Sequence, residues 1–135
     1  MESRSLLIAI ILIAVMLFAG FQIVNLTGFF VLGTTRTVEL NIDNGIERLT
    51  YTYDVGEGET AFDALKRVAV IDYEMYSTGI IVSEINGVKM DENHHWLCLV
   101  NGKLPEKPCD FYEPDEGDVI SFVYLTSEEA LNYFI

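Results

Sequence analysis

Positive charge is scarce in this sequence, and the scarcity excludes some classes of partner. The 135 residues include 8 lysine and arginine residues against 21 aspartate and glutamate residues, which gives a formal net charge of −13. A surface of this sign repels nucleic-acid phosphates and anionic lipid headgroups. We therefore expect no nucleic-acid partner.

Catalytic motifs are also missing. The sequence has no Gly-x-Ser-x-Gly nucleophile turn, no His-Glu-x-x-His zinc motif and no phosphate-binding loop. Cys98 stands near two histidines, but its place beside Trp96 in an apolar run indicates a buried sulfur. Because a buried thiol without an activating cation is inert, we predict a protein that is not an enzyme.

Cysteine is limited to Cys98 and Cys109. Their separation differs from the Cys-x-x-Cys of a thioredoxin-like redox pair. In a domain outside the cytoplasm the two sulfurs favour one disulfide, whereas two unpaired buried thiols would fit a reducing compartment. We expect the disulfide.

The most prominent feature is an apolar run from Leu6 to Val24 that contains no charged residue. A helix of about 20 residues spans the roughly 30 Å hydrocarbon core of a bilayer. The run is longer than the apolar region of about 7–15 residues in a cleaved signal peptide, and no small-x-small cleavage site ends it. Residues 1–33 are therefore predicted to be a transmembrane signal-anchor, with residues 6–24 in the membrane. A cleaved signal peptide and a buried core helix are the alternatives.

Alternation of apolar and polar residues predicts two N-terminal strands. Val38, Leu40 and Ile42 share one face of the segment 36–42, and the segment 47–55 alternates in the same way. An Asp-Asn-Gly turn between the two segments predicts a hairpin, because Asn and Gly tolerate positive φ.

A single helix is predicted after the hairpin. Thr60 is placed to cap it, and Asp63 stands three positions later, as in a capping box. Phe62 and Leu65 begin an apolar stripe at helical spacing, which extends the prediction to Val70.

Three later segments complete the predicted sheet. Residues 80–87 and 95–100 are predicted strands that end in Asn-Gly turns, and residues 119–125 form a strand apolar on both faces. Residues 72–79 are predicted to be an irregular connection. The order β-β-α-β-β-β predicts an α+β domain over residues 34–126, a β-grasp-like mixed sheet with one covering helix.

The tail over residues 127–135 is predicted to be a short helix. Ser127 is the predicted cap. The predicted packing residues are Leu131, Tyr133 and Phe134.

Ordered short motifs between residues 38 and 125 carry a family resemblance. They lie in "GETAFDALKRV", "GIIVSEINGVKMDENHHWLCLVNGK" and "YEPDEGDVISFVY". The residues that fit the pattern are Gly58, Thr60, Asp63, Ala64, Leu65, Gly79, Ile85, Asn86, Gly87, Trp96, Val100, Asn101, Gly102, Gly117, Asp118, Ile120 and Tyr124. In this order they resemble the extracytoplasmic domain family of unknown function related to the C-terminal β-domain of transcobalamin and intrinsic factor. The resemblance implies a β-grasp-like fold, export and a binding role.

Cobalamin enters only through this resemblance. In transcobalamin the related domain helps to enclose cobalamin, together with a large helical domain that this sequence lacks. We therefore expect no cofactor, and cobalamin or another tetrapyrrole is implied by analogy alone.

Five side chains are candidates for contact with a ligand or partner: Trp96, His94, His95, Tyr73 and Tyr76. Trp96 is interpreted either as a core anchor beneath the helix or as a surface ring that stacks on a ligand. Adjacent residues on a strand point to opposite faces, so His94 and His95 bind one metal ion only if the backbone is irregular.

The acidic loop before the last strand raises the question of calcium. Asp115, Glu116 and Asp118 offer the hard oxygen ligands that calcium prefers. The Asp-x-Asp-x-Asp-Gly order of an EF-hand is absent. We expect no metal site, and these three residues are the calcium candidates.

These patterns together predict a single-pass protein of the cell membrane whose C-terminal domain lies outside the cytoplasm. Its predicted function is to bind a small molecule or a protein partner, with specificity in the loops after Asp72, Asp91 and Lys103. The alternative is a structural or accessory subunit of a membrane complex, whose helix packs in the membrane while its domain caps the complex.

Overall fold

A computed structural model describes residues 3–16 and 35–135. The chain divides into two compact units, residues 1–34 and residues 35–135. In the first unit, residues 3–16 form helix α1, whose side chains are exposed and mainly apolar. None of the helices in these described ranges is long and apolar enough to cross a membrane. The predicted span over residues 6–24 continues past α1 beyond the described ranges, so it stays a prediction.

The second unit contains seven strands and two helices. Its elements are β1 (Arg36–Asp43), β2 (Arg48–Val55), α2 (Ala61–Val68), β3 (Ile71–Tyr76), β4 (Gly79–Ile85), β5 (Val88–Lys89), β6 (His94–Val100), β7 (Val119–Thr126) and α3 (Ser127–Leu131).

Four of these strands form one sheet in the order β2-β1-β7-β6. β1 pairs antiparallel with β2 and parallel with β7, while β6 pairs antiparallel with β7. The predicted α+β class with a mixed sheet is therefore confirmed. The other three strands form a second sheet in the order β3-β4-β5, where the sequence predicted only one sheet. Because β4 has β3 on one edge and β5 on the other, neither edge is free to extend the larger sheet.

The predicted irregular connection over residues 72–79 is wrong, because most of it belongs to strands. β3 pairs antiparallel with β4, and its last five residues are exposed. A strand without a buried face does not require the alternation of apolar and polar residues by which strands are predicted. Backbone pairing with β4 holds this segment in place.

Helix α2 and the larger sheet share one core. Leu65 of α2, Leu40 of β1 and Ile120 of β7 belong to the same buried cluster, and each has 0% of its surface exposed. The buried face of α2 also includes Phe62, as the predicted apolar stripe requires. Removing this much apolar surface from water is the main stabilising contribution to a domain of this size.

The predicted capping box of α2 is confirmed. The Thr60 hydroxyl accepts a hydrogen bond from the Asp63 amide at 3.2 Å, and the Asp63 carboxylate accepts one from the Thr60 amide at 3.0 Å. The bond from the Thr60 amide is the main reason that the pKa of Asp63 is lowered. The helix ends at Val68 rather than Val70, because Ala69 already has an extended backbone, and β3 begins at Ile71.

Both Asn-Gly turns are confirmed. Asn86 and Asn101 adopt positive φ values of 49° and 53°, and the glycine after each is also in the left-handed region. Asn tolerates this region better than other residues with a Cβ atom, so the pair suits a tight reversal.

The tail helix α3 begins one residue earlier than predicted. Thr126, not Ser127, is the cap, because its hydroxyl accepts from the Glu129 amide. Ala130 is the buried residue of this helix. The predicted packing residues are exposed instead: Leu131, Tyr133 and Phe134.

Candidate functional site: an apolar cavity beside the disulfide

A cavity of about 750 Å³ opens in the C-terminal half of the domain. Its walls come from β4, from β6, from the loop over residues 104–109 and from α3 with the tail after it. The volume lies within the range of roughly 300–1,000 Å³ that is usual for small-molecule sites. Because β6 is the outer strand of the larger sheet, residues from both of its faces reach the cavity: His95, Trp96, Leu97 and Cys98.

The floor of the cavity is buried and the rim is exposed. Val82, Trp96 and Phe122 line the floor and are at most 9% exposed. The rim carries large apolar side chains that remain in contact with solvent: Ile81 at 48% exposure, Leu131 at 60% and Phe134 at 66%. Packing of the domain core therefore does not account for these rim side chains.

The predicted disulfide between Cys98 and Cys109 is present, and it forms part of the cavity wall. It joins β6 to the loop after Lys103, with 6.6 Å between the two Cα atoms. The same loop is tied to α2, because the Cys109 carbonyl accepts from the Phe62 amide at 3.1 Å. The Tyr112 carbonyl of the same loop accepts from the Ala61 amide of α2 at 2.9 Å.

Trp96 serves the core and the cavity at once. Its ring is 8% exposed and belongs to the core cluster, as the core interpretation predicts. The indole N–H donates to the Val88 carbonyl at 2.9 Å, which fixes the ring plane. Tyr124 packs against the ring at 5.1 Å between centroids. The remaining surface of the indole forms part of the cavity lining.

His95 and Ser127 provide a polar pair in the cavity wall. His95 Nε2 lies 3.0 Å from Ser127 Oγ, and both residues line the cavity. Ser127 is held in place independently, because its amide donates to the Asn93 carbonyl at 2.8 Å. The side-chain pair therefore lies at a position that the backbone fixes.

His94 points to the other face of β6. Its ring stacks on Tyr124 at 5.1 Å, and its Nδ1 lies 3.0 Å from Asp91. A hydrogen bond from the Asn93 amide, with a further contribution from His94, lowers the pKa of Asp91. The two histidines thus do not converge, in agreement with the regular geometry of a strand.

Tyr73 and Tyr76 lie on β3 and do not line the cavity. Tyr73 makes an edge-to-face contact with Phe62 at 4.9 Å. Tyr76 donates its hydroxyl to the Glu74 carboxylate, and this hydrogen bond is the main reason that the pKa of Tyr76 is raised. These two candidates mark a surface separate from the cavity.

The acidic loop closes on a hydrogen-bond network around Asp118. One carboxylate oxygen accepts from the Tyr112 hydroxyl at 2.7 Å and from the Asp115 amide at 2.9 Å. The other accepts from the Asn101 side chain at 2.9 Å. Burial alone would raise the pKa of Asp118, but the three hydrogen bonds together outweigh burial and leave the pKa lowered.

Two of the three calcium candidates, Glu116 and Asp118, accept hydrogen bonds from donors of the protein itself. Besides the bonds to Asp118, Glu116 accepts from the Thr37 amide at 2.6 Å. In residues 3–16 and 35–135, no group of His, Cys, Asp and Glu side chains is placed to hold a metal ion. Asp115 contributes its backbone amide and carbonyl to the turn around Asp118.

Several residues of the cavity were not predicted from the sequence. Leu97 lies in a predicted strand and Leu104 in a loop rich in proline and acidic residues, and neither carries a signal for a cavity. Leu131 and Phe134 are predicted only as packing residues of the tail helix. The available signal was a tail with more large apolar residues than its short helix can bury. The loop after Lys103, which was predicted to carry specificity, does line the cavity.

Residues 58–126 match the sequence model of a family described as "Domain of unknown function (DUF4430)". This chain belongs to that family. The DUF4430 match includes α2, both cysteines, His95 and Trp96, and it ends one residue before Ser127. No curated protein matches the chain.

Two solved structures share the fold of this DUF4430 domain. A presumed metal-binding protein from Ruminococcus gnavus ATCC 29149 aligns with a TM-score of 0.61 at 13% identity, over 68% of this chain and 98% of its own. Haptocorrin in complex with Cbi aligns with a TM-score of 0.63 at 14% identity, over 69% of this chain and 25% of the haptocorrin chain. Identities this low show the fold alone. Haptocorrin belongs to the transcobalamin family, so the predicted resemblance is confirmed at the level of the fold.

The disulfide predicts that non-reduced protein, unfolded in denaturant, contains no titratable thiol. The double variant Cys98→Ala/Cys109→Ala should lose about 3 kcal/mol of unfolding free energy, the value the chain-entropy model gives for a loop of this length. Urea denaturation of the full chain measures the loss, and reduced wild-type protein is the matched control. Two free thiols in the non-reduced sample would show that the bridge does not form in solution.

Tyr112 predicts a loss of stability at alkaline pH. Burial, and next its hydrogen bond to Asp118, raises the pKa of Tyr112 from 10.0 to about 12 in the folded chain. The unfolded chain therefore loses this proton first, and the contribution of Tyr112 is complete below pH 10 and lost as pH rises towards 12. At neutral pH the free energy of unfolding of the wild-type protein should be about 1 kcal/mol larger than that of Tyr112→Phe.

This advantage should shrink across that alkaline interval when unfolding is measured at a series of pH values. The control is Tyr133→Phe, which removes a hydroxyl from the exposed tail. A wild-type advantage over Tyr112→Phe that stays constant through the interval would contradict the assignment.

Proposed function

We propose that this chain carries a non-catalytic binding module outside the cytoplasm and that the cavity of the module takes a small apolar molecule. The observation that carries the proposal is the apolar rim of the cavity. Ile81, Leu131 and Phe134 stay exposed above a buried apolar floor. Contiguous exposed apolar surface next to a concavity marks binding sites in folded domains.

Enclosure favours a small molecule over a protein surface. The walls come from two sheets, a disulfide-linked loop and a helix, so a ligand that enters is contacted from several sides. A flat protein partner would contact only the rim. The haptocorrin structure, which is a complex with Cbi, supports a binding role at the level of the shared fold.

Location outside the cytoplasm is supported by the disulfide, because such bridges persist in oxidising compartments. Anchoring in the membrane is supported by the charge-free run over residues 6–24 and by the exposed apolar side chains of α1. Glu2 and Arg4 cancel, so the net charge of −13 resides in residues 35–135. We propose a single-pass anchor that displays this acidic domain at the cell surface.

The absence of catalysis is part of the proposal. The pair of His95 and Ser127 has the spacing of a base and a nucleophile, but a catalytic dyad also needs a group that orients the histidine. Across the parts of the chain that the structure describes, no carboxylate contacts His95 Nδ1, and the nearby Asp91 bonds to His94. The pair therefore suits recognition better than hydrolysis.

A second candidate function rests on β3. This strand is one of the two outer strands of its sheet, and its last five residues are exposed. An exposed edge strand can pair with a strand of another protein. Tyr73 and Tyr76 would then contact a protein partner, which agrees with the alternative role as an accessory subunit of a membrane complex.

Trp96 makes the cavity proposal testable, because it is the only tryptophan and lines the cavity. Bromohexane in the cavity should quench Trp96 fluorescence by contact in the full chain held in lipid nanodiscs. The variant Leu131→Asp/Phe134→Asp places two charges on the rim and should weaken binding by about tenfold or more, since each lost apolar contact is worth about 1 kcal/mol or more.

The matched control is Ile46→Asp, which places a charge on an exposed apolar residue that does not line the cavity. It should bind bromohexane like the wild type. Equal quenching curves for wild type, control and rim variant would contradict a binding function for the cavity.

Display outside the cytoplasm predicts that an added thiol is labelled on intact cells. Among the described residues the two cysteines are bridged, so Ile46→Cys introduces one reactive thiol at an exposed position. A membrane-impermeant maleimide should label this variant on intact cells, and wild-type protein should stay unlabelled. Labelling that requires cell lysis would place the domain in the cytoplasm.

A further inference from the structure

We propose that the cavity ligand is an uncharged amphiphile with an apolar body and one hydroxyl group, and that the hydroxyl group binds to the His95–Ser127 pair. This inference rests on the proposed function and names the ligand class for the same cavity. It starts from the small number of polar side chains in the lining.

Apart from the bridged cysteines and the buried Trp96, four lining residues have polar or charged side chains: His95, Ser127, Glu106 and Lys107. Glu106 and Lys107 are exposed and of opposite charge, so they add no net charge at the mouth. The Trp96 N–H is already used by the Val88 carbonyl. Only His95 and Ser127 are half-buried and able to fix the orientation of a ligand.

The chemistry of the pair selects a hydroxyl group. If Ser127 donates to His95 Nε2, the serine oxygen keeps lone pairs that accept a hydrogen bond from a ligand. If His95 Nε2 carries the proton and donates to Ser127, the serine hydroxyl is free to donate. A ligand hydroxyl is both donor and acceptor, so it completes the pair in either tautomer.

Charge disfavours a carboxylate in the same place. The domain carries the full net charge of −13, and the one lysine of the lining, Lys107, follows Glu106 in the sequence. An anion would leave water for an apolar cavity without an ion partner, which is costly. A ligand without any polar group would leave the free hydrogen-bonding position of the pair unsatisfied.

Ser127 can be changed without removing the helix cap. The cap of α3 is Thr126, and the Ser127 amide donates to Asn93 through the backbone. Ser127→Ala therefore removes the hydroxyl alone. Ser127→Thr keeps a hydroxyl at the same place, and Ser77→Ala makes the same chemical change in an exposed turn that does not line the cavity.

The experiment compares three probes that quench Trp96: bromohexanol, bromohexane and bromohexanoate, each with bromine on the terminal carbon. In the full chain in nanodiscs, Ser127→Ala should lower the affinity for bromohexanol about three- to tenfold, because one hydrogen bond to the ligand is lost. Bromohexane should be unchanged in the same variant. Ser127→Thr and Ser77→Ala should bind both probes like wild type, and bromohexanoate should bind wild type at least about tenfold more weakly than bromohexanol does.

The outcomes distinguish a failure of the hydroxyl assignment from a failure of the proposed binding function. Three outcomes would each overturn the hydroxyl assignment while the cavity still binds. Ser127→Ala could leave the affinity for bromohexanol unchanged, or it could lower the affinities for bromohexanol and bromohexane equally. Wild-type protein could also bind bromohexanoate as tightly as bromohexanol. Absence of quenching by all three probes in wild-type protein would overturn the binding function itself, and the ligand class with it.

Discussion

The parallel pairing of β1 with β7 is the contact on which the domain depends. It joins the first strand of the domain to the last, and Leu40 and Ile120 meet there without any exposed surface. Because β6 and α3 are attached to β7, this pairing also sets the position of the cavity walls. The helix α2 covers the joined strands with its apolar face. A defect at this pairing would therefore disturb the core and the cavity together.

Apolar side chains are buried to different extents in the two parts of this domain, the core around α2 and the cavity beside α3. The apolar face of α2 is buried, whereas four large apolar side chains of α3 and the tail after it are exposed: Leu131, Tyr133, Phe134 and Ile135. The structure uses a covalent bridge on the second side, where apolar packing is incomplete. A cavity interrupts dense packing, and the disulfide stabilises the cavity wall where apolar contacts are missing.

The sequence predicts the elements that carry local signals and misses those that depend on assembly. The capping residues Thr60 and Asp63, the Asn-Gly turns and the disulfide follow from residue chemistry over short distances. β3 was missed because its exposed faces impose no pattern, and Ser127 was misplaced because the cap lies one residue earlier. The cavity was not predictable, because its walls come from segments that only the folded sheets bring together. Trp96 and His95 were predicted as candidates, but the partner Ser127 was not.

In the loop after Lys103, the backbone contacts α2 and the side chains line the cavity. Carbonyl groups at Cys109 and Tyr112 pair with the first amides of α2, so the backbone of this part of the loop is fixed by the core helix. The side chains over residues 104–107 face the cavity and make no such pairs. Substitutions there can change the shape and polarity of the cavity while the helix stays anchored.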